Sequence, residues 1–158
     1  MSMSNNDILV RIRYALDIRD IDMVEVFKLG GIEITKEDLQ EMLKKVKDDE
    51  EPAIKCNDKM MESFLNGFVT FKRGKQEGQP DVVPATGESI NNLLLKKLKI
   101  ALSLTSEDIL DILASVGVRV TKSEMSALLR KEGHKNYKEC GDRYARNFLK
   151  GLALRYRG

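Results

Sequence analysis

Asn5-Asn6-Asp7-Ile8-Leu9-Val10-Arg11-Ile12-Arg13-Tyr14-Ala15-Leu16 returns 86 residues later as Asn91-Asn92-Leu93-Leu94-Leu95-Lys96-Lys97-Leu98-Lys99-Ile100-Ala101-Leu102. The correspondence runs from Asn5–Lys45 onto Asn91–Lys131. It resumes after a two-residue deletion from Cys56–Gly74 onto Cys140–Gly158, now with a shift of 84. Asp22/Asp108, Gly31/Gly117, Thr35/Thr121, Asp58/Asp142, Phe64/Phe148 and Gly67/Gly151 are among the paired landmarks. The chain is therefore one small module written twice. The expected organisation is a first helical repeat over residues 1–74, a connector over 75–89 and a second repeat over 90–158, related by a pseudo-twofold axis.

Each copy predicts four helices. In the first segment Ile8, Leu9, Ile12, Ala15 and Leu16, matched by Leu94, Leu95, Leu98, Ala101 and Leu102, have the spacing of one apolar helix face. Asn6 and Asn92 are expected near its N-terminus as capping residues. A second helix runs over Ile21–Leu29 and Glu107–Ser115, with Thr105 to Asp108 supplying a cap and first-turn acids, and Gly30-Gly31 or Gly117 ending it. Thr35 to Asp38 and Thr121 to Glu124 open a third helix with capping-box chemistry. Asp58 and Asp142 are expected to cap a fourth. Between the second and third helices the alternations Ile32-Glu33-Ile34 and Val118-Arg119-Val120 predict a short two-stranded bridge between the copies.

The expected fold class is thus all-α, a tandem duplication of a roughly four-helix module. Gly67 and Gly151 interrupt strong helical patterns at a cost of about 1 kcal/mol each against alanine, which a close helix crossing between the copies would offset. Lys75 to Ser89, with Pro80, Pro84, Gly78 and Gly87 and no helical period, reads as an exposed, protease-sensitive connector.

Composition narrows the function classes. With 42% apolar and 33% charged residues the chain has enough apolar surface for a folded core. Modules of roughly 70 residues have marginal cores alone, so the copies are expected to pack together. No apolar window reaches the roughly 20 residues of a membrane span, and the start at Met1-Ser2-Met3-Ser4 lacks signal-peptide character. A cytoplasmic location without membrane partners is expected, as a monomer or weak homodimer. Cys56 and Cys140, at equivalent positions, read as small buried residues rather than a disulfide or a nucleophile.

The familiar chemical motifs are missing. The Gly-Ile-Glu-Ile-Thr run looks like the back half of an EF-hand. Counting back from Gly31, however, places Val26, Lys28 and Gly30 where calcium needs acidic ligands, and Gly117 likewise gives Ile112, Ala114 and Val116. A helix-turn-helix over Asp108–Ser115 and Thr121–Lys131 has too long a turn. Its counterpart in the first copy carries Glu37, Asp38 and Glu41, which phosphates repel. With one histidine, no metal-ligand spacing, no P-loop and no nucleophile elbow, no cofactor and no catalytic residue are expected.

Charge differs between the copies: residues 1–79 hold 13 basic and 16 acidic side chains, residues 80–158 hold 14 and 9. The excess lies in Lys96, Lys97 and Lys99 and along the final helix in Arg143, Arg146, Lys150, Arg155 and Arg157. Tyr137, Tyr144 and Tyr156 are near it in sequence. That basic face is the candidate surface for a protein or nucleic-acid partner. The alternative is a small-molecule sensor or cryptic enzyme with a site between the copies near His134, Cys140 and Asp142, in a loop that groups several reactive residue types.

Several runs carry a family resemblance. They are Asn6-Asp7-Ile8-Leu9 with Arg11, Arg13 and Tyr14; Ser63-Phe64-Leu65-Asn66-Gly67 with Lys72-Arg73-Gly74-Lys75; Ile90-Asn91-Asn92; the long run His134 to Asp142; and Phe148-Leu149-x-Gly151-Leu152. On these residues the whole chain resembles the YehS-like bacterial family known as domain of unknown function 1456. The resemblance implies a cytoplasmic bacterial protein with two tandem copies of one domain, and it brings no activity, cofactor or catalytic residue.

Overall fold

The structure, a computed structural model, describes residues 3–47 and 49–157. Met1-Ser2, Asp48 and Gly158, the repeat partner of Gly74, lie outside the described residues. Among the described residues eight α-helices form: α1 (Asn5–Leu16), α2 (Asp20–Leu29), α3 (Lys36–Leu43) and α4 (Asp58–Arg73), then α5 (Ile90–Ala101), α6 (Ser106–Ala114), α7 (Lys122–Leu129) and α8 (Asp142–Arg157).

Local chemistry sets their ends. Ser4, Thr35, Thr105 and Thr121 each accept a hydrogen bond from the backbone of the third helical residue, whose own acid bonds back to the cap, so α1, α3, α6 and α7 open with complete capping boxes. Four helices close with the same left-handed turn. In α2 the amides of Gly31 and Ile32 bond the carbonyls of Lys28 and Phe27, and in α6 those of Gly117 and Val118 bond Ala114 and Leu113. Gly31 at φ 94° and Gly117 at φ 81° adopt it without strain. α1 and α5 make the turn with Asp17 (φ 50°) and Ser103 (φ 55°) instead.

This closure explains why the expected two-stranded bridge does not form. The amides of Ile32 and Val118 are spent on the helix ends, and among the described residues no strand is present.

Two further sequence expectations are corrected. Asn6 and Asn92 do not cap; they staple distant loops. Asn6 Nδ2 donates to the carbonyls of Met42 and Ile54, both at 3.0 Å, while its Oδ1 accepts from the Cys56 amide at 2.9 Å. Asn92 repeats this on Leu128 (3.1 Å), Lys138 (2.9 Å) and Cys140 (2.8 Å). Both asparagines are buried, so every bond replaces one to water that burial removed. Nor is Asp58 the cap of α4, since Asn57 accepts from the Met60 amide there. Asp58 and Asp142 instead hold Asn5 and Asn91 at 2.8 and 2.7 Å.

Gly67 and Gly151 do mark close crossings, but within each copy. A Cβ on Gly67 would lie 2.0 Å from the Val26 carbonyl oxygen of α2, and one on Gly151 would lie 2.5 Å from that of Ile112 in α6. The copies meet through other pairs. α4 packs on α5 and α8 on α1, each pair side by side in the same direction. The starts of α1 and α8 are joined by Met3 N–H to Asp142, and their ends by Arg157 to Asp17; Arg73 reaches Ser103 at the ends of α4 and α5. Buried side chains from both copies form one core. It is aromatic in the first, around Phe27, Phe64 and Phe68, where the second has Leu113, Phe148 and Leu152.

Candidate binding surface

Exchanging the copies turns the α4–α5 contact into the α8–α1 contact, so the duplication gives two equivalent grooves, one between each pair. Along α4 the positions Glu62, Leu65, Asn66 and Val69 form a single helical stripe facing its groove. Their counterparts on α8 are Arg146, Leu149, Lys150 and Ala153. Val10, Arg11 and Tyr14 of α1 stand where α5 has Lys96, Lys97 and Ile100.

The connector closes the first groove. Glu62 is 2% exposed, and its carboxylate accepts from the Thr86 amide (2.7 Å), the Thr86 hydroxyl (2.8 Å) and the Gly87 amide (3.1 Å). Glu88 meets Lys96 of α5 at 2.9 Å and also accepts from the Glu132 amide at 3.2 Å. Burial works against the Glu88 carboxylate, but the bonds from Lys96 and Glu132 outweigh it and hold its pKa below the ordinary value. Lys97 is shifted down by burial, opposed by the charges of Glu62 and Glu88. Thr86 to Glu88 therefore bridge α4 and α5. Farther back, Val82 lies against Gly31.

Among the described residues no chain segment lies over the second groove. Val10, Arg11 and Tyr14 face Leu149, Lys150 and Ala153 across a cavity of about 320 Å³. Val10 is 40% and Tyr14 60% exposed. At the end of the groove Arg157 stacks 4.3 Å from the Tyr14 ring centroid, donates to the Tyr14 carbonyl at 3.0 Å and pairs with Asp17 at 3.2 Å.

The basic residues singled out in the sequence thus divide. Lys96 is engaged with Glu88, and its ammonium lies 5.9 Å from the Tyr137 ring centroid. Lys97 lies near the carboxylates of Glu62 on α4 and Glu88 of the connector, and Lys99 is partly buried in the last turn of α5. Arg155 pairs with Asp108 at 3.3 Å. Arg143 and Lys150 are exposed on α8, with Arg146 partly buried between them. Sequence reasoning placed the surface on the second copy alone and missed Arg11, Val10 and Tyr14. The signal was the repeat itself, which aligns Arg11 with Lys97.

The loop residues are placed differently. Cys56 and Cys140 are free and buried. Burial, with smaller contributions from Asp58 and Asp142, pushes each thiol up to about 12, so neither is a thiolate near neutral pH. Asp142 is occupied by Asn91 and the Met3 amide. His134 is exposed, its Nδ1 accepting from the Asn136 amide at 3.0 Å. Among the described residues no group of three or more His, Cys, Asp or Glu could hold a metal ion, and no helix is long and apolar enough to cross a membrane.

Fold and surface together define a duplicated all-helical scaffold with one closed and one open groove. The chain belongs to the family described as "Protein of unknown function (DUF1456)", which matches residues 5–74 and 91–158. It is 44% identical over 153 residues to the uncharacterized protein YehS of Escherichia coli (strain K12), spanning 97% of this chain and 96% of that protein. No solved structure matches it.

Proposed function

We propose that this is a non-enzymatic binding protein that takes an anionic protein partner on the outer face of α8. The supporting observation is the contrast between equivalent helices: every residue of α4 from Met61 to Phe68 is buried, whereas α8 leaves Arg143 and Lys150 in solvent beside an open apolar groove. Uncovered apolar surface rimmed by charge marks interaction sites. A protein partner fits better than nucleic acid. Arg155 and Arg157 are already paired with Asp108 and Asp17, so the remaining basic patch is short for a phosphate backbone, whose binding draws on many lysine and arginine contacts.

The test is fluorescence anisotropy with a labelled acidic polypeptide at about 50 and 200 mM salt, using the wild type and the Arg143→Glu/Arg146→Glu/Lys150→Glu variant, with folding checked by circular dichroism. Binding that weakens steeply with salt and vanishes in the variant supports the reading. Equal binding by the variant, or flat titrations at low salt, overturns it.

A further inference from the structure

From the two grooves we infer that the α1–α8 groove docks an extended acidic peptide of a partner protein, in the way that the chain's own connector occupies the α4–α5 groove. This deepens the binding reading above and rests on it. The fold carries its own template. Asp81-Val82-Val83-Pro84-Ala85-Thr86-Gly87-Glu88 is a non-helical, proline-containing segment whose last three residues seat on Glu62 and Lys96, Glu88 supplying the acid, while Asp81 is exposed and pairs with Lys75. The duplication repeats the helix pair that receives it, and among the described residues no such segment lies over the second copy of that pair.

The differences between the grooves specify the occupant. Arg146 stands at the position of Glu62, so a guanidinium replaces the carboxylate that receives the connector's amides. Val10 stands at the position of Lys96, making that end apolar. Arg11 retains the positive charge of Lys97, and Lys150 adds one where Asn66 stands. The α4–α5 groove thus has acid and base for a segment offering both donors and acceptors. The α1–α8 groove has bases and an apolar floor of Val10, Leu149 and Ala153, which fits a segment offering carboxylates around an apolar side chain.

The experiment selects from a displayed library of random ten-residue peptides on the full-length protein. Enriched peptides are then titrated into ¹⁵N-labelled protein by NMR, alongside single-stranded DNA and RNA of equal length. The expected result is enrichment of acidic peptides that perturb the amides of Val10, Arg11, Tyr14, Leu149 and Ala153. Affinity should fall at least tenfold in Ala153→Phe, which fills the groove without changing charge, and in Arg11→Glu. It should be unchanged in Lys36→Ala, exposed in the first turn of α3 and outside the groove.

No enrichment, neutral or basic peptides, or perturbations elsewhere overturn the inference; oligonucleotides perturbing the groove where peptides do not would replace it with a nucleic-acid site. If acidic polypeptides bind the outer face of α8 without disturbing the groove, this inference fails and the broader binding reading stands. If nothing acidic binds, both fail.

Discussion

α4 and α8 descend from one sequence, occupy equivalent places and cross their neighbours at equivalent glycines, yet they face opposite environments. α4 is enclosed by α2, α5 and the end of the connector, and it buries a carboxylate, Glu62, that the connector satisfies three times over. α8 packs on α6, α1 and α5 and leaves Arg143 and Lys150 exposed, with Arg146 and Lys150 where α4 has Glu62 and Asn66. A duplicated module has two of every surface. Here the single connector can cover only one groove, and side-chain substitutions have suited each groove to its state. A buried anion is tolerable in one because its hydrogen-bond partners are built in. Lys150 and Arg11 are tolerable in the other because solvent reaches them.

The comparison is broken most severely at the crossing glycines. Gly67→Ala should cost about 3 kcal/mol or more, since the new Cβ meets the Val26 carbonyl oxygen at 2.0 Å and the Gly30 amide nitrogen at 2.8 Å. Gly151→Ala, at 2.5 Å from the Ile112 carbonyl oxygen and Cγ2, should cost about 2 kcal/mol. Urea denaturation with a constant slope reads both. Next come the stapling asparagines. Asn6→Ala and Asn92→Ala each leave two carbonyls and one amide without that partner. Each should lose about 2–3 kcal/mol, and nearly the same in both copies. A large inequality would show that the copies are not structurally equivalent there.

The connector's anchor is expected to be unequal. Glu62→Gln removes the charge that receives Thr86 and Gly87 and should cost about 1.5–3 kcal/mol, with faster proteolysis in residues 75–89. Lys150→Gln, one turn beyond the equivalent point on α8, should stay within about 0.5 kcal/mol. The smallest effect is chemical. Folded protein at pH 8 should resist iodoacetamide at Cys56 and Cys140, and both should react in denaturant. Because folding raises these thiols from the ordinary 9.0 to about 12, their contribution to stability is complete below pH 9. It is lost as pH rises from about 9 to 12, giving an alkaline unfolding limb that replacement of both cysteines by alanine should reduce.

What the sequence made legible was local or repeated. The threonine boxes at Thr35, Thr105 and Thr121 lie within one turn of the donors they satisfy, so spacing alone identified them. Asn6 and Asn92 defeated that logic because their partners at Cys56 and Cys140 lie 50 and 48 residues away; an asparagine near a helix start looks the same whether it caps or staples. Gly67 and Gly151 announced close approach but carried no sign of which helix approaches. The alternation at Ile32 to Ile34 has strand period, yet its first amide had already been claimed by Phe27.

At the candidate surface the exposed bases of α8 were readable from charge. The groove was not, because it joins the last helix to the first. The pairing of α8 with α1 and of α4 with α5 depends on tertiary packing between copies. The mismatch of Glu62 with Arg146 was visible in the repeat alignment, but its meaning lay with Thr86 and Gly87, in a connector whose glycines and prolines suggested only exposure.

The most direct measurement of the central claim is thiol labelling at one repeat position in both copies, because the native cysteines are buried. Asn66→Cys and Lys150→Cys place a thiol at equivalent points on α4 and α8. The account predicts that Lys150→Cys reacts with a maleimide at close to the rate of an unfolded peptide, whereas Asn66→Cys reacts at least about 100-fold more slowly because it must wait for local opening. Comparable rates at the two positions would contradict a closed groove in the first copy and an open one in the second.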